Sequence, residues 1–297
     1  MIAGLFPWMR AAEQGGGESF NIGEMILHHV VDSHELELPF LGVVELPRWE
    51  PVRLGPLVID FSPTKHVVFM LLAAFLVAVV MIWTARRTHG RGAERAPKGL
   101  ANVIEAFVVF LRDEVVMANV GHGGERYVPF VLTLFFFILT CNLLGLLPWG
   151  ATATANLSVT AALALLSFFA IEVSGFLALG PRGYLKTIFY APHGMGRLGS
   201  LLIMLIMTPV EFLGKLTKPF ALAIRLFANM NAGHFVILAL IGLIFVAAPV
   251  AAFVLPVLGP VVMAVAIMVL ELFVAFLQAY IFAMLTSVFI GLIRHAH

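Results

Sequence analysis

The sequence predicts an all-α polytopic membrane protein with five crossings, an amphipathic cytoplasmic helix, and a long, strongly tilted C-terminal helical hairpin. Three observations predict it. The first is composition: of 297 residues, 61% are hydrophobic and only 12% charged, with a mean hydropathy of +1.01. A soluble domain carries about 25% charged residues, so half of the usual solvating surface is missing. The second is a series of long apolar stretches, and the third is the alternation of Lys- and Arg-rich links with links that lack both. The composition excludes a soluble enzyme, a disordered chain and, with one cysteine, a disulfide scaffold. A net charge of +1 provides no electrostatic footprint for nucleic acid.

Residues 1–65 hold nine acids against four bases and read as an acidic outer segment. Met1–Met9 is too short an apolar run for a signal peptide, and Glu13 and Glu18 follow closely. Phe20–Phe40 contains His28, His29, Asp32, His34 and Glu35 at spacings that admit a metal; a polar helix at the membrane surface is the reading we adopt, with no metal or cofactor. The membrane domain follows over residues 66–297.

Its crossings are predicted at 67–85, 127–147, 156–179, 201–246 and 261–293. Val67–Ala85 and Tyr127–Leu147 carry no Asp, Glu, Lys or Arg, and Asn156–Leu179 is broken only by Glu172. Each approaches the ~20 residues a helix needs to span hydrocarbon, where open strands would leave backbone groups unsatisfied. Between the first two, Leu100–Asn119 mixes apolar residues with Glu105, Arg112, Asp113 and Glu114, as an amphipathic helix on the cytoplasmic face would. There is no internal repeat, and no low-complexity run beyond Gly15–Gly17.

Arg86–Arg126 contains seven Lys and Arg and Pro181–Arg197 three, whereas Pro148–Ala155 and Ala247–Pro260 have none. Basic links belong on the cytoplasmic side, which places the N-terminus outside and Arg294 inside.

Leu201–Val246 keeps a helical pattern for 46 residues, roughly 69 Å at 1.5 Å per residue. One strongly tilted helix, bent near Pro209 and Pro219, fits this length and the charge rule. Pro249, Pro256, Gly259 and Pro260 mark the turn before the closing helix.

Three residues in this hairpin are costly in lipid: Arg225, His234 and Glu271. An intramembrane arginine costs ~2.5–3.5 kcal/mol on insertion scales and is a functional candidate, whereas Lys215 and Lys218 read as residues snorkelling to an interface. In an antiparallel hairpin turning near Ala251–Phe253, His234 pairs in depth with Glu271, and Arg225 with Gln278: their midpoints are 252.5 and 251.5. Glu271 and Gln278 share a helical face, as do Arg225 and Asn229, while Arg225 and His234 lie about 180° apart. An arginine keeps its proton and acts as a fixed charge, whereas a histidine–glutamate pair can pass protons. Glu211, fourteen residues before Arg225, falls on the cytoplasmic side. Acid, fixed cation and His–Glu pair then follow one another along the membrane normal.

The run Pro209–His234 (PVEFLGKLTKPFALAIRLFANMNAGH) closely resembles the a subunit of F-type ATP synthases. Asn142–Pro148 (NLLGLLP), Thr154–Thr160 (TANLSVT) and Leu277–Thr286 (LQAYIFAMLT) resemble it in the same order, and the likeness covers about Val67–Ile293. The resemblance implies a non-catalytic proton-channel stator beside a ring of c subunits, each with a membrane carboxylate. It also implies b-type peripheral stalk subunits, an indirect link to the soluble ATPase sector and lipid contact. The ion is set largely by the ring, with His234 favouring protons over sodium, and the expected location is a bacterial inner membrane. By it, Arg225 is the stator arginine with Asn229 and Gln278 beside it, His234 and Glu271 belong to the outer half-channel, and Glu211 to the cytoplasmic one.

The chain departs from the pattern in three places. Many members carry the acid and histidine of the pair in exchanged positions; some have an acid where Gly145 stands; and Glu172 matches no motif, leaving a cavity-lining acid and a structurally paired one both open. Asn142, Thr154 and Asn156 can wet the outer side or simply hydrogen-bond helices together. The alternative function is a stand-alone proton-coupled secondary transporter, which would usually show paired repeats and broken helices. A bis-histidine haem carrier fails because only His234 lies deep in an apolar span, and a plain membrane anchor has no use for the ionisable trio.

Overall fold

The computed structural model describes residues 32–38, 42–54, 57–60, 62–88, 99–147, 150–189, 197–247 and 255–295. His28, His29, the links with Arg91, Arg95 and Lys98, and the turn containing Pro249 lie outside the described residues.

The described outer segment is extended where a helix was expected. Strands β1 (Glu35–Leu38) and β2 (Gly42–Glu45) pair antiparallel, Glu35 opposite Glu45 and Leu38 opposite Gly42. β3 (Val52–Leu54) and β4 (Leu57–Ile59) form a second hairpin. The helix predicted over Phe20–Phe40 is therefore corrected at its C-terminal end. Glu-Leu-Glu-Leu alternates with a period of two, which suits a strand and not a helix. Among the described residues, no group of three His, Cys, Asp or Glu could hold a metal ion.

Helices build the rest. α1 spans Lys65–Thr88 and ends in Arg86 and Arg87. α2 (Leu100–Phe110) continues through a π-helical segment, Leu111–Met117, into the helical residues Ala118–Val120. Its buried side is apolar (Ala101, Ile104, Leu111, Val115, Val116, Val120), while its exposed side mixes Arg112 and Asp113 with Val103, Val109 and Phe110. α3 covers Val128–Gly145 and α4 Leu157–Ile188. Gly180, with φ 68° and ψ 171°, interrupts α4, and Pro181 opens the second segment, a position where its missing N–H costs nothing. The predicted span stopped at Leu179, one residue before this break; the helix resumes where a loop was expected.

α5 is a continuous 51-residue helix, Arg197–Ala247, about 76 Å along its path. It stays helical through Pro209 and Pro219. α6 runs from Leu255 to Arg294, beginning before the expected Val261; Pro256 sits in its first turn, where a missing donor is tolerated. Among the described residues, five helices are long and apolar enough to cross a membrane: Lys65–Arg87, Val128–Gly145, Leu157–Ile188, Leu201–Leu240 and Val261–Arg294. The chain is an integral membrane protein.

Contacts group the chain into two compact units. The first draws on Met1–Val77, Leu139–Asn156 and Phe227–Leu277; the second on Ala78–Ile138, Leu157–Leu226 and Gln278–His297. In the first, Phe69, Ala73, Cys141, Met230 and Ala275 are buried together with polar residues: His66, Asn142, Thr152, Thr154 and Glu271. In the second, Leu111, Phe135, Ile138, Leu226, Phe282 and Ile290 form an apolar core. There Arg294 donates to His122 O at 3.0 Å, and Gly291 lets α6 approach the Asn119 carbonyl so closely that a Cβ has no room.

Gly291→Ala should therefore lower the thermal stability of the solubilised protein by about 1–3 kcal/mol, the usual cost of overpacking. Gly214→Ala, where a Cβ meets nothing within 4 Å, should be neutral or slightly stabilising. Paired melting curves check both.

Candidate functional site

In the first unit, Glu271 on α6 is 5% exposed, and its Oε1 lies 3.8 Å from His234 Nδ1 on α5. The contact depends on the neighbouring glycine: a Cβ at Gly233 would sit 2.7 Å from Glu271 Oε1 and 2.9 Å from its carboxyl carbon. Gly233 thus lets the carboxyl lie against the helix that carries His234. The second oxygen, Oε2, is buried and has no hydrogen-bond partner among the described residues. A buried carboxylate oxygen without a partner is costly.

Around the pair stands a polar frame. Asn142 Nδ2, from α3, donates to Ala275 O at 3.2 Å, one turn beyond Glu271 on α6. Thr154 donates to Asn142 Oδ1 at 2.6 Å. Asn231, three residues before His234, donates to Ala155 O at 3.0 Å and to Phe227 O at 3.0 Å. Asn156 donates to Asp32 Oδ2 at 3.2 Å. A side chain at Gly145 has no room, because Thr152 occupies that space; Thr152 is itself buried.

The second unit holds a different cluster. Glu172 on α4 accepts hydrogen bonds from Tyr184 and, at 3.3 Å, from Lys215 Nζ on α5. Lys215 Nζ is 3.4 Å from Thr187 Oγ1 and 4.7 Å from the centre of the Tyr184 ring. With 12% side-chain exposure, Lys215 is paired inside the protein and does not snorkel, a correction to the sequence reading. Lys218, exposed, stacks over the Phe289 ring at 4.8 Å. Glu172, Thr187, Glu211, Lys215, Lys218 and Phe168 line a cavity of ≈ 130 Å³. Glu172 thus lines the same cavity as Glu211 and is also structurally paired.

Arg225 is exposed and forms no hydrogen bond or ion pair among the described residues. Asn229 is also exposed, whereas Gln278 is 2% exposed. Gln278 faces the interior of its unit.

The sequence pattern of the ATP synthase A chain family matches residues 67–291. The chain belongs to that family. It is 45% identical over 268 residues to ATP synthase subunit a of Chloroherpeton thalassium, covering 90% of this chain and 75% of that one. It is 47% identical over 301 residues to ATP synthase subunit a of Anaeromyxobacter dehalogenans, covering 96% and 74%. A third relative, ATP synthase subunit a 2 of Chlorobaculum tepidum, is 43% identical over 282 residues, covering 95% and 76%. Members of the ATP synthase A chain family are the proton-translocating membrane subunits of F-type ATP synthases.

Within this A-chain scaffold, sequence reasoning missed the groups that position the named residues. Asn231, Gly233, Tyr184 and Thr187 act through contacts twelve or more residues away in the chain, and Thr152 through its contact with Gly145. Asn231 alone left a signal, as a polar residue within the apolar run before His234.

Gly233→Ala should displace the Glu271 carboxyl and destabilise the solubilised protein by about 1–3 kcal/mol, the usual cost of overpacking. Paired melting curves measure this. Removing one partner of a buried ion pair costs ~3–5 kcal/mol. Lys215→Met should destabilise the protein by about that order, and adding Glu172→Gln should recover most of the loss in melting experiments.

Proposed function

We propose that this chain is the proton-translocating stator of an F-type ATP synthase. It supplies two offset half-channels to the carboxylates of a ring of c subunits, and Arg225 is the fixed charge separating them. His234, Glu271, Asn142, Thr154 and Asn156 serve the outer half-channel, while Glu211 and Glu172 serve the cytoplasmic one. Asn229 and Gln278 support the exchange near Arg225. The N-terminus lies outside and the C-terminus in the cytoplasm, in a bacterial inner membrane. The ring, b-type peripheral stalk subunits and lipid are its direct partners, and the soluble ATPase sector an indirect one.

The observation that carries this reading is Arg225: an arginine in an apolar helix, exposed and unpaired among the described residues. A charge so placed needs an anion from outside, and a ring carboxylate supplies one. A carboxyl approaching Arg225 gives its proton to one half-channel, passes as the anion, and takes a proton from the other. Without the fixed charge a protonated carboxyl slips past and the gradient dissipates. The His234–Glu271 pair supports the outer path, because both groups can hold or release a proton. Family membership also weighs against a stand-alone transporter.

Arg225→Ala should abolish ATP synthesis and ATP-driven proton pumping in vesicles carrying the assembled complex. Arg225→Lys retains the charge but not the forked donor geometry, and should recover little. Normal pumping by the alanine variant would overturn the assignment.

A further inference from the structure

We propose that Asp32 and His66 form the proton-collecting mouth of the outer half-channel. The proposal rests on the reading of His234 and Glu271 given above. His66 stands at the start of α1 and is 3% exposed. Neither of its ring nitrogens has a hydrogen-bond partner among the described residues. Its Nε2 lies 3.9 Å from Asp32 Oδ1. A buried imidazole without hydrogen bonds is costly, and a helix start needs no histidine, so packing alone does not explain it.

Asp32 joins this imidazole to the site. Its side chain is 30% exposed and meets solvent, while its other oxygen accepts from Asn156. Polar groups then follow inward within the same unit. The Ala155 carbonyl, next to Asn156, receives Asn231; Asn231 lies one helical turn from His234, and His234 meets Glu271.

The charged groups facing His66 are Asp32 and Lys65, the latter 8% exposed and adjacent in α1. His34 is nearby in the chain fold, its Nδ1 3.1 Å from Pro63 O. The Asp32 carboxylate offsets the Lys65 charge at His66. Asp32 takes a proton from outer solvent, His66 passes it on without holding it, and each release inward is followed by recapture from solvent. Such a collector matters most when free protons are scarce.

The test uses the whole ATP synthase complex reconstituted in vesicles. ATP synthesis is measured under a constant total driving force while the outer-side compartment is stepped from about pH 6 to about pH 8, so that free protons become about a hundredfold scarcer. Asp32→Asn and His66→Gln should match the unaltered complex at the acid end and fall several-fold behind at the alkaline end, with Asp32→Glu restoring the profile. Equal rates at every pH, or a loss uniform across pH, overturns the proposal. If His66→Gln fails to assemble, Asp32→Asn at its exposed position decides alone. Glu271→Gln, run in parallel, separates the two readings. Normal synthesis by that variant overturns both; its inactivity beside a pH-independent Asp32→Asn overturns only the mouth.

Discussion

Hydrocarbon cannot solvate a polar group, and nearly every feature of this protein follows from that constraint. The backbone answers it by forming helices, so that the chain bonds to itself. Short polar side chains answer it locally: Thr84 donates to Val80 O, Thr286 to Phe282 O and Ser287 to Ala283 O. Asn142 and Asn231 answer it across elements, donating to carbonyls of other segments. Against this background the exceptions carry meaning. Among the described residues, Glu271 keeps one bare oxygen and His66 two bare nitrogens, while Arg225 has no partner.

The two units meet the constraint with different chemistry. In the first, the acid faces a histidine, so both members can change charge and a proton can be shared or released. In the second, Glu172 faces Lys215, with Tyr184 completing the cluster. A lysine beside an acid settles the charge instead of leaving it poised. The first arrangement suits exchange, and the second suits a stable wall for the cavity that Glu211 lines. Glycines set two close contacts: Gly233 admits Glu271, and Gly145 admits Thr152.

Much of this was legible in the chain. The lipid-spanning helices were readable because hydropathy acts over some twenty residues and averages out local noise. The pairing of His234 with Glu271 was readable because an antiparallel hairpin equates positions about its midpoint, even though the turn itself lies outside the described residues. The β1–β2 hairpin was missed where histidine spacing drew attention from the Glu-Leu alternation. Lys215 was misread because a lysine near a helix end ordinarily reaches water, and nothing local announces an acid forty-three residues earlier.

The sequence by itself determined the solvent, the helical class, the family resemblance and which residues lipid would penalise. These depend on composition, periodicity and local motif, all properties of contiguous chain. Tertiary structure alone decided which penalties are relieved and by whom. It gave Glu172 its lysine and tyrosine, turned Gln278 inward, seated Glu271 over Gly233, and set Asp32 between His66 and Asn156. Each of these is a contact between distant segments at a few ångströms, where the register of two packed elements decides whether a polar atom meets a partner or an apolar wall.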